Sequence, residues 1–360
     1  MVANLTTRLG QLTSTPAGGP YVGKNRIING NMAIDQRNAG ASVTPTSGQY
    51  ITDRWSASLG AASKFSAQQN GGSLTAPAGA ANWLCATSLS AYSVSASDYF
   101  LLVQYIEGLN CADLSWGAAN AQSVTLSFLV QSTLTGTFGG SILNSAHTRS
   151  YPFTYSIPVA NVWTTITVTI PGDTSGTWLT TNGIGMRVVF SLGMGSTYSG
   201  TAATWATAEY YSATGAVSVV GTSGAKLAIT NVQLEAGTIA TPYEFNQYPT
   251  QLAQCQRYYN KYNFTTNDPV ANGNAYTSSN AYGVLPLTVS MRTSPSCSWT
   301  GNIVWFSNGV TTTNTSVSFN NTTVNTVEIN QALSAPAGTA GTGGWWRANG
   351  TASLAASAEL

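Results

Sequence analysis

Apolar and polar residues alternate along several stretches of this chain, and this period of two restricts its fold more than any other feature. From Val162 to Ile170, apolar side chains occupy one face and a row of threonines occupies the other. Such alternation is typical of a β-strand with one buried face and one face in water. The alternation recurs at residues 99–106, 124–130, 186–192 and 227–234. Helical periodicity is almost absent, so the chain is predicted to be all-β.

One of these stretches, Tyr99 to Ile106, is mostly apolar on both faces, so we expect a central, buried strand there. Turn-forming residues such as Pro171-Gly172-Asp173 separate the stretches. Many strands joined by glycine-rich turns indicate a β-sandwich, and about 220 residues suit one elaborated jelly roll. The expected fold is therefore a jelly-roll β-sandwich followed by a short helix and a second, smaller β-sandwich domain.

The segment from Leu227 to Tyr262 is expected to close the first domain. Pro242 and Pro249 favour an extended passage between them, and Thr250 can cap a helix that begins at Gln251. The strand before this passage is expected to have one face made of Leu227, Ile229, Asn231 and Gln233, and another made of Ala228, Thr230, Val232 and Leu234.

The chain is thus predicted to have four segments. They are an N-terminal anchoring arm at residues 1–24, a jelly-roll domain at 25–247, a connecting helix at 248–263 and a C-terminal β domain at 264–360. In the last segment, Phe264 to Asn280 is polar and is expected to be a linker or loop. Strands are expected at Leu285–Met291 and Ile303–Phe306, and Trp345-Trp346-Arg347 is a local concentration of aromatic residues.

Charge is scarce, and this excludes several classes of partner. Only 7% of residues are charged, against about 25% in ordinary soluble domains. The chain has no long basic run, so nucleic acid is not an expected partner. No apolar run approaches the roughly 18–20 residues of a membrane-spanning helix, so membrane insertion is not expected either. The 43% hydrophobic content argues against disorder.

The residue types that carry catalysis or bind metals are few and scattered. The four cysteines form no CxxC pair, which argues against a zinc site, although a Cys85–Cys111 bridge stays open. His147 is the single histidine, and its neighbours form no nucleophile motif. The twelve acidic residues cannot be paired from the sequence as a glycosidase would require. We therefore expect no enzymatic activity, no catalytic residues, no metal and no cofactor.

A set of short motifs follows in order along the chain. They are NRIINGNMAIDQRNAG at residues 25–40, YITDRW at 50–55, YIEG at 105–108, VQLEAG at 232–237, ATPYEF at 240–245, QLAQCQRYY at 251–259 and SAEL at 357–360. Together they resemble recurring segments of bacteriophage virion proteins, which include tail-fibre, tail and head-decoration proteins with a carbohydrate-binding-module-like jelly roll. The resemblance extends over most of the chain.

This resemblance implies a function and a location. The chain would be a virion structural protein, a fibre or surface decoration subunit, made in the host bacterial cytoplasm and incorporated into the particle. Its expected partners are sister chains, in a trimer, other virion proteins through the N-terminal arm, and host surface glycans. Two alternatives stay open: a dedicated receptor-binding, lectin-like tail fibre, and a polysaccharide depolymerase.

Glycan binding would need aromatic rings that stack on sugars, with amides and hydroxyls nearby. The candidates on or beside polar strands and loops are Trp163, Trp178, Tyr198 and Trp205. Carbohydrate modules of the jelly-roll type often hold a structural calcium ion, for which Asp53 and Glu235 are the positions to compare. We favour ordinary turn carboxylates at both positions, with Trp55 buried and Asp53 bound to a backbone or arginine partner.

Overall fold

The computed structural model describes residues 23–314, 317–332 and 338–360. The predicted anchoring arm at residues 1–24 lies outside the described residues except for its last two positions. The chain divides into two compact units, Met1–Tyr248 and Pro249–Leu360. In the described part of the chain, no helix is long and apolar enough to cross a membrane.

The first unit is a sandwich of two antiparallel sheets. Its strands are β1 (Tyr50–Thr52), β2 (Trp55–Leu59), β3 (Phe65–Gln69), β4 (Leu84–Ser88), β5 (Tyr99–Glu107), β6 (Val124–Ser132), β7 (Gly136–Leu143), β8 (Ser150–Ile157), β9 (Thr164–Ile170), β10 (Ile184–Met194), β11 (Ser199–Gly200), β12 (Ser212–Ala213) and β13 (Lys226–Ala236). One sheet has six strands in the order β1-β2-β5-β10-β7-β8, and the other has five in the order β3-β4-β13-β6-β9. The short strands β11 and β12 form a separate parallel pair.

The core lies between the two sheets and is built by the alternating residues that the sequence predicted. Alternate residues of β5, β6 and β10 face inwards, and their aromatic members include Phe100, Phe128 and Phe190, each at most 2% exposed. The rings of Phe128 and Phe190 meet edge to face with centroids 5.0 Å apart. As predicted, β5 is central, because it pairs with β2 on one side and β10 on the other.

Strand β13 departs from the predicted alternation halfway along its length. Leu227 and Ile229 face the core as expected, but the next core residues are Val232 and Leu234. Asn231 has a left-handed backbone, with φ of +50°, and the register with β6 shifts there. One extra residue in a bulge exchanges the two faces of every residue beyond it. The prediction that Asn231 and Gln233 share a face with Leu227 was therefore wrong.

Residues 53 and 54 form a turn between β1 and β2, and Trp55 begins β2. Arg54 has a left-handed backbone, with φ of +70°. Trp55 and Asp53 are fully buried, and the Asp53 carboxylate accepts a hydrogen bond from the Gln36 backbone N–H at 3.1 Å. The predicted burial and backbone pairing are confirmed, although the residues do not alternate as in a strand.

The start of the first unit is tied to β13 through the side chain of Asn25. Its amide donates to the Val232 carbonyl at 3.2 Å, and its oxygen accepts from the N–H groups of Ile27 and Leu234 at 2.9 and 3.0 Å. Gly30 approaches β13 so closely that a Cβ would lie 2.1 Å from the Val232 carbonyl oxygen. Only glycine fits at this position.

The end of the first unit joins the same network. Glu244 accepts from the Asn25 backbone N–H at 2.8 Å, and its own N–H donates to Gln233 at 2.7 Å. Glu235 accepts from the N–H and hydroxyl of Thr241 at 2.8 and 2.7 Å. We call residues 23–31, 231–235 and 241–244 the terminal clasp. It contains much of the first and last motifs of this unit, so those motifs hold the two chain ends of the sandwich together.

The second unit starts with helix α1 (Tyr248–Gln256), and the elements that follow it in the described residues are strands. They are β14 (Tyr259–Phe264), β15 (Pro269–Ala275), β16 (Asn280–Pro286), β17 (Ser296–Ser307), β18 (Val310–Asn314), β19 (Ser318–Phe319), β20 (Thr326–Ala332) and β21 (Gly343–Ser357). They form one eight-stranded sheet in the order β18-β17-β21-β15-β16-β20-β19, with β14 also paired to β21. Its core contains Trp305 and Trp346, both fully buried with ring centroids 4.4 Å apart.

Several predictions for this unit need correction. The helix ends at Gln256, and residues predicted to continue it form β14. The expected linker at Phe264–Asn280 contains β15. The sequence pattern does not predict this strand, because asparagine and glycine are rare in strands. The strand expected at Leu285–Met291 ends at Pro286, where proline lacks the N–H for further pairing. The fold class is confirmed as all-β, with a jelly-roll sandwich, a short helix and a second, smaller β domain; the strands of that domain form one sheet, where a second sandwich was expected.

Candidate functional site

The outer face of the six-stranded sheet of the first unit is covered by the chain segment that follows β10. Leu101 and Val103 of β5 point outwards, away from the core, yet are at most 2% exposed. The covering segment is fixed to β8 because Ser150 bridges Ala206, and the Ser150 hydroxyl donates to the Ala208 carbonyl at 2.7 Å. An apolar patch on an outer face thus becomes the floor of a cluster of aromatic side chains.

Three tyrosines form this cluster, which we call the tyrosine cluster: Tyr99, Tyr198 and Tyr211. Tyr99 starts β5, and the other two belong to the covering segment. Their ring centroids lie 5.3 to 5.4 Å apart in all three pairs, within the range of favourable aromatic contacts. Tyr211 is buried, whereas Tyr99 and Tyr198 are half-buried and keep part of their rings in solvent.

Polar and charged groups border the tyrosine cluster. The Tyr211 hydroxyl donates to the Glu209 carboxylate, which also contacts Nδ1 of His147. His147 lies in the turn between β7 and β8, with a left-handed φ of +59°. On the neighbouring strand, the Arg187 guanidinium lies 5.2 Å from the ring centroid of Tyr105 and donates to the Ser145 carbonyl at 3.2 Å.

The surroundings set the protonation state of two of these groups. Burial first, and the positive charge of Arg187 second, hold the pKa of His147 below its ordinary value, against the opposing attraction of Glu209. Burial first, and the bond to Glu209 second, raise the pKa of Tyr211 far above its ordinary value. At neutral pH the imidazole of His147 is therefore uncharged. The Tyr211 hydroxyl stays protonated and donates a hydrogen bond to the Glu209 carboxylate.

Two of the predicted binding residues lie together at a different place, in a tryptophan cluster with Trp116. The ring centroid of Trp116 lies 4.6 Å from that of Trp178 and 5.4 Å from that of Trp205. The Trp178 indole N–H donates to Asp173 at 3.2 Å, and Trp178 is only 8% exposed. Its burial leaves no ring face for a sugar, so the prediction for Trp178 is wrong. Trp205 is half-buried and packs within the same cluster.

The tryptophan cluster is held by an ion pair. Arg149 makes two hydrogen bonds to the Asp173 carboxylate at 2.7 and 2.6 Å, and its guanidinium lies 5.7 Å from the Trp205 ring centroid. Because Asp173 is 1% exposed and Trp178 also donates to it, this network is structural.

The remaining two predicted residues lie apart from each other. Trp163 is on the outer face of the five-stranded sheet, where its ring meets Trp83 edge to face at 6.4 Å and its N–H donates to the Thr75 carbonyl at 2.8 Å. Tyr198 belongs to the tyrosine cluster. The four predicted residues therefore occupy three places, and Tyr198 is the one at the candidate site.

The two carboxylates considered for calcium have other hydrogen-bond partners, and the two cysteines considered for a disulfide are free thiols. The carboxylates of Asp53 and Glu235 accept hydrogen bonds from N–H and O–H groups, which occupy the oxygens that a cation would need. Among the described residues, no group of three or more His, Cys, Asp or Glu could hold a metal ion. All four cysteines are free, so the Cys85–Cys111 bridge that the sequence left open does not form.

Sequence reasoning missed Tyr99, Tyr211, Glu209 and Arg187 as members of one site. They come from β5, β10 and the covering segment, which are distant in the chain. One local signal was present, because Glu209 and two adjacent tyrosines stand close after Tyr198. The contact with Tyr99 follows only from the pairing of β5 with β10.

No protein-family model matches this chain, and no curated protein matches it. Among solved structures, similarity is found to the enzymatically active domain of tailspike protein 4 from bacteriophage CBA120, at 13% identity and a TM-score of 0.31 over 59% of this chain and 22% of that chain. A CBM4 structure matches at 11% identity and a TM-score of 0.31, over 58% of this chain and 98% of that chain. The family 11 carbohydrate-binding module of a Clostridium thermocellum cellulosomal cellulase matches at 13% identity and a TM-score of 0.29, over 56% of this chain and 98% of that chain. At these TM-scores the similarities carry no argument about ligand or function.

Proposed function

We propose that this chain is a non-enzymatic structural subunit of a bacteriophage particle, a fibre or surface decoration that contacts host surface glycans. The order of the virion-protein motifs supports the assignment to a particle. The tyrosine cluster is the observation that carries the glycan part. It combines half-exposed aromatic rings with a carboxylate, an imidazole and a guanidinium around them.

Each part of the cluster has a role that suits a sugar. The exposed parts of Tyr99 and Tyr198 can pack against the C–H face of a sugar ring. Glu209 can accept hydrogen bonds from sugar hydroxyls, and Arg187 can donate to them. The buried Tyr211 holds Glu209 in place through its hydroxyl. A few fixed polar groups around aromatic walls are typical of small-ligand sites.

Catalysis is not part of this proposal. A glycosidase needs two carboxylates about 5–9 Å apart, one of which acts as an acid or a nucleophile. Glu209 is the carboxylate of the cluster, and it is already engaged with Tyr211 and His147.

The assembly part of the proposal concerns partners that the resemblance implies. The chain would form a homotrimer, would contact other virion proteins through residues 1–24, and would reside in the virion after synthesis in the host cytoplasm. Light scattering on the purified full chain tests the trimer. A stable monomer in solution would favour a subunit that becomes ordered only on the particle.

The test of glycan binding is an array of bacterial surface glycans probed with the full chain and two variants. Tyr198→Ala should weaken binding about fivefold, because the loss of one stacked ring is worth about 1 kcal/mol. Trp163→Ala is the matched control on the other sheet and should bind as the unmodified chain does.

The opposite result, with loss at Trp163 and none at Tyr198, would place the site on the five-stranded sheet and refute the proposal. No binding to any glycan would favour a purely structural subunit. Release of reducing sugar ends from a bound polysaccharide would favour the depolymerase alternative.

A further inference from the structure

The second unit exposes an aromatic pair on the face of its sheet that is opposite to its core. In the run Trp345-Trp346, strand alternation places Trp346 in the core and leaves Trp345 39% exposed. Phe306 of β17 is the cross-strand neighbour of Trp345, and the two rings stack with centroids 5.0 Å apart and planes 20° apart. The stack is a flat, rigid and partly solvated apolar surface.

A groove of about 300 Å³ adjoins this stack. It runs along the turn between β17 and β18, where Asn308, Gly309 and Thr311 line it beside the two rings. Gly344 forms part of its wall, and a Cβ there would lie 2.3 Å from the buried Trp305 ring. The groove thus offers an aromatic face with an amide and a hydroxyl in reach, on backbone that is fixed by the core beneath it.

Arg347 completes this surface. It follows Trp345 by two residues on β21, so its side chain leaves the same face of the sheet about 6.6 Å further along. Its guanidinium lies over Phe306, 4.0 Å from the ring centroid, and 6.0 Å from that of Trp345. With the residues that the structure describes, the side chain of Arg347 makes these ring contacts but no hydrogen bond and no ion pair.

The contrast with Arg149 shows what this arginine lacks. Arg149 also lies near an aromatic ring, but it donates two hydrogen bonds to the carboxylate of Asp173. A guanidinium that lies over a ring keeps its N–H donors in its own plane, where they match the two oxygens of a carboxylate. Arg347 therefore has the aromatic contacts of such an arrangement, and its guanidinium N–H donors are available for the carboxylate of a ligand.

We propose that this surface binds an acidic glycan, with a sugar ring against Trp345 in the groove and the carboxylate of a uronic or sialic acid on Arg347. The spacing of Trp345 and Arg347 along one strand face is about one sugar unit, so an acidic oligosaccharide of two or more units can reach both. The aromatic stack favours a sugar over a simple anion, and the free guanidinium favours an acidic sugar over a neutral one. This site is separate from the tyrosine cluster and does not depend on it.

The test is calorimetric titration of the full chain with three acidic oligosaccharides, namely tetragalacturonate, a hyaluronan tetrasaccharide and sialyllactose, each beside its methyl ester. The esters keep the rings and remove the charge. At least one acidic form should bind about tenfold more tightly than its ester, and added salt should reduce that difference.

Three variants assign the contacts. Arg347→Gln should bring the acidic form down to the affinity of its ester, and Trp345→Ala should weaken both forms about tenfold or more. Tyr276→Ala is the matched control, because Tyr276 is an exposed aromatic residue of the same unit, 67% exposed, outside the groove. Thermal unfolding checks that each variant is folded. Tyr198→Ala in the first unit should change nothing, which separates failure of this site from failure of the tyrosine cluster.

Absence of binding to all three acidic oligosaccharides would overturn the proposal. Equal binding of acid and ester would overturn the role of Arg347. A loss in Tyr276→Ala as large as that in Trp345→Ala would overturn the location.

Discussion

Replacing Asn29 by alanine tests whether the motif at residues 25–40 acts through structure. Asn29 is 1% exposed, and its amide donates to the carbonyls of Ile34 and Asp53 at 2.8 and 2.9 Å. Its side-chain oxygen accepts from the Ile34 N–H at 3.0 Å. The backbone of Asn29 is left-handed, with φ of +59°, a conformation that asparagine tolerates better than alanine.

The expected loss follows from these contacts. Three buried hydrogen bonds at about 1 kcal/mol each give about 3 kcal/mol, and left-handed alanine adds about 1 kcal/mol. Asn29→Ala should therefore lower the free energy of unfolding by about 4 kcal/mol. In a domain of this size that corresponds to a fall of about 8–16 °C in the unfolding temperature. Asn29→Gly is the matched control, because it loses the same bonds without the strain and should cost about 3 kcal/mol.

Differential scanning calorimetry measures the shift, and hydrogen exchange assigns it to the first unit. Glycan binding at a temperature where the variant is folded should be unchanged, because Asn29 lies outside the tyrosine cluster. An alanine variant that unfolds within about 1 kcal/mol of the unmodified chain would refute the hydrogen-bond reasoning. Equal stability of the alanine and glycine variants would refute the strain reasoning.

Two further predictions concern the tryptophan cluster and the histidine. Gly176→Ala places a Cβ 2.4 Å from Cγ of Arg149 at a φ of +78°, so it should displace Arg149 from Asp173 and lower the free energy of unfolding by about 3 kcal/mol in a thermal unfolding experiment. Gly215→Ala is the control, because it has a similar φ and nothing within 4 Å of the new Cβ, and it should lose only about 1 kcal/mol through backbone strain. Equal losses in the two variants would contradict this reasoning. The pKa of His147 is lowered in the folded chain, so the unfolded chain takes up its proton first and stability falls as pH drops below about 6.5. His147→Gln should flatten the pH dependence of the unfolding temperature between about pH 7 and 5, and an unchanged profile would count against the assigned shift.

The sequence predicted the first unit well because its strands have one buried face. Where Val124, Leu126 and Phe128 alternate with polar residues, the pattern alone locates the strand and its inner face. The pattern fails at Asn231, since a bulge depends on the backbone conformation of a single residue, which the alternation of apolar and polar side chains does not encode. It fails again in β15, where asparagine and glycine alternate and the strand is recognised only through its pairing with β16 and β21.

The candidate site was less predictable than the fold. Tyr198 could be proposed from its polar surroundings, but its partners depend on which strands lie side by side. Trp178 shows the opposite error. Its neighbours in the sequence are polar, whereas its neighbours in space are Trp116 and Trp205, which bury it. Local polarity indicates exposure only when the segment does not fold back onto an aromatic partner.

The terminal clasp shows that the motifs resembling those of virion proteins specify how the sandwich is closed rather than which ligand it binds. Its conspicuous residues, including Asn25, Gly30, Gln233 and Glu235, hydrogen-bond or pack against one another and fix the ends of the sandwich. Two chains that share these residues would share this closure, because each residue satisfies a backbone or side-chain partner within it. The tyrosine cluster and the surface around Trp345 use none of these residues. Proteins with the same clasp can therefore carry different aromatic surfaces, and the ligand has to be established from those surfaces.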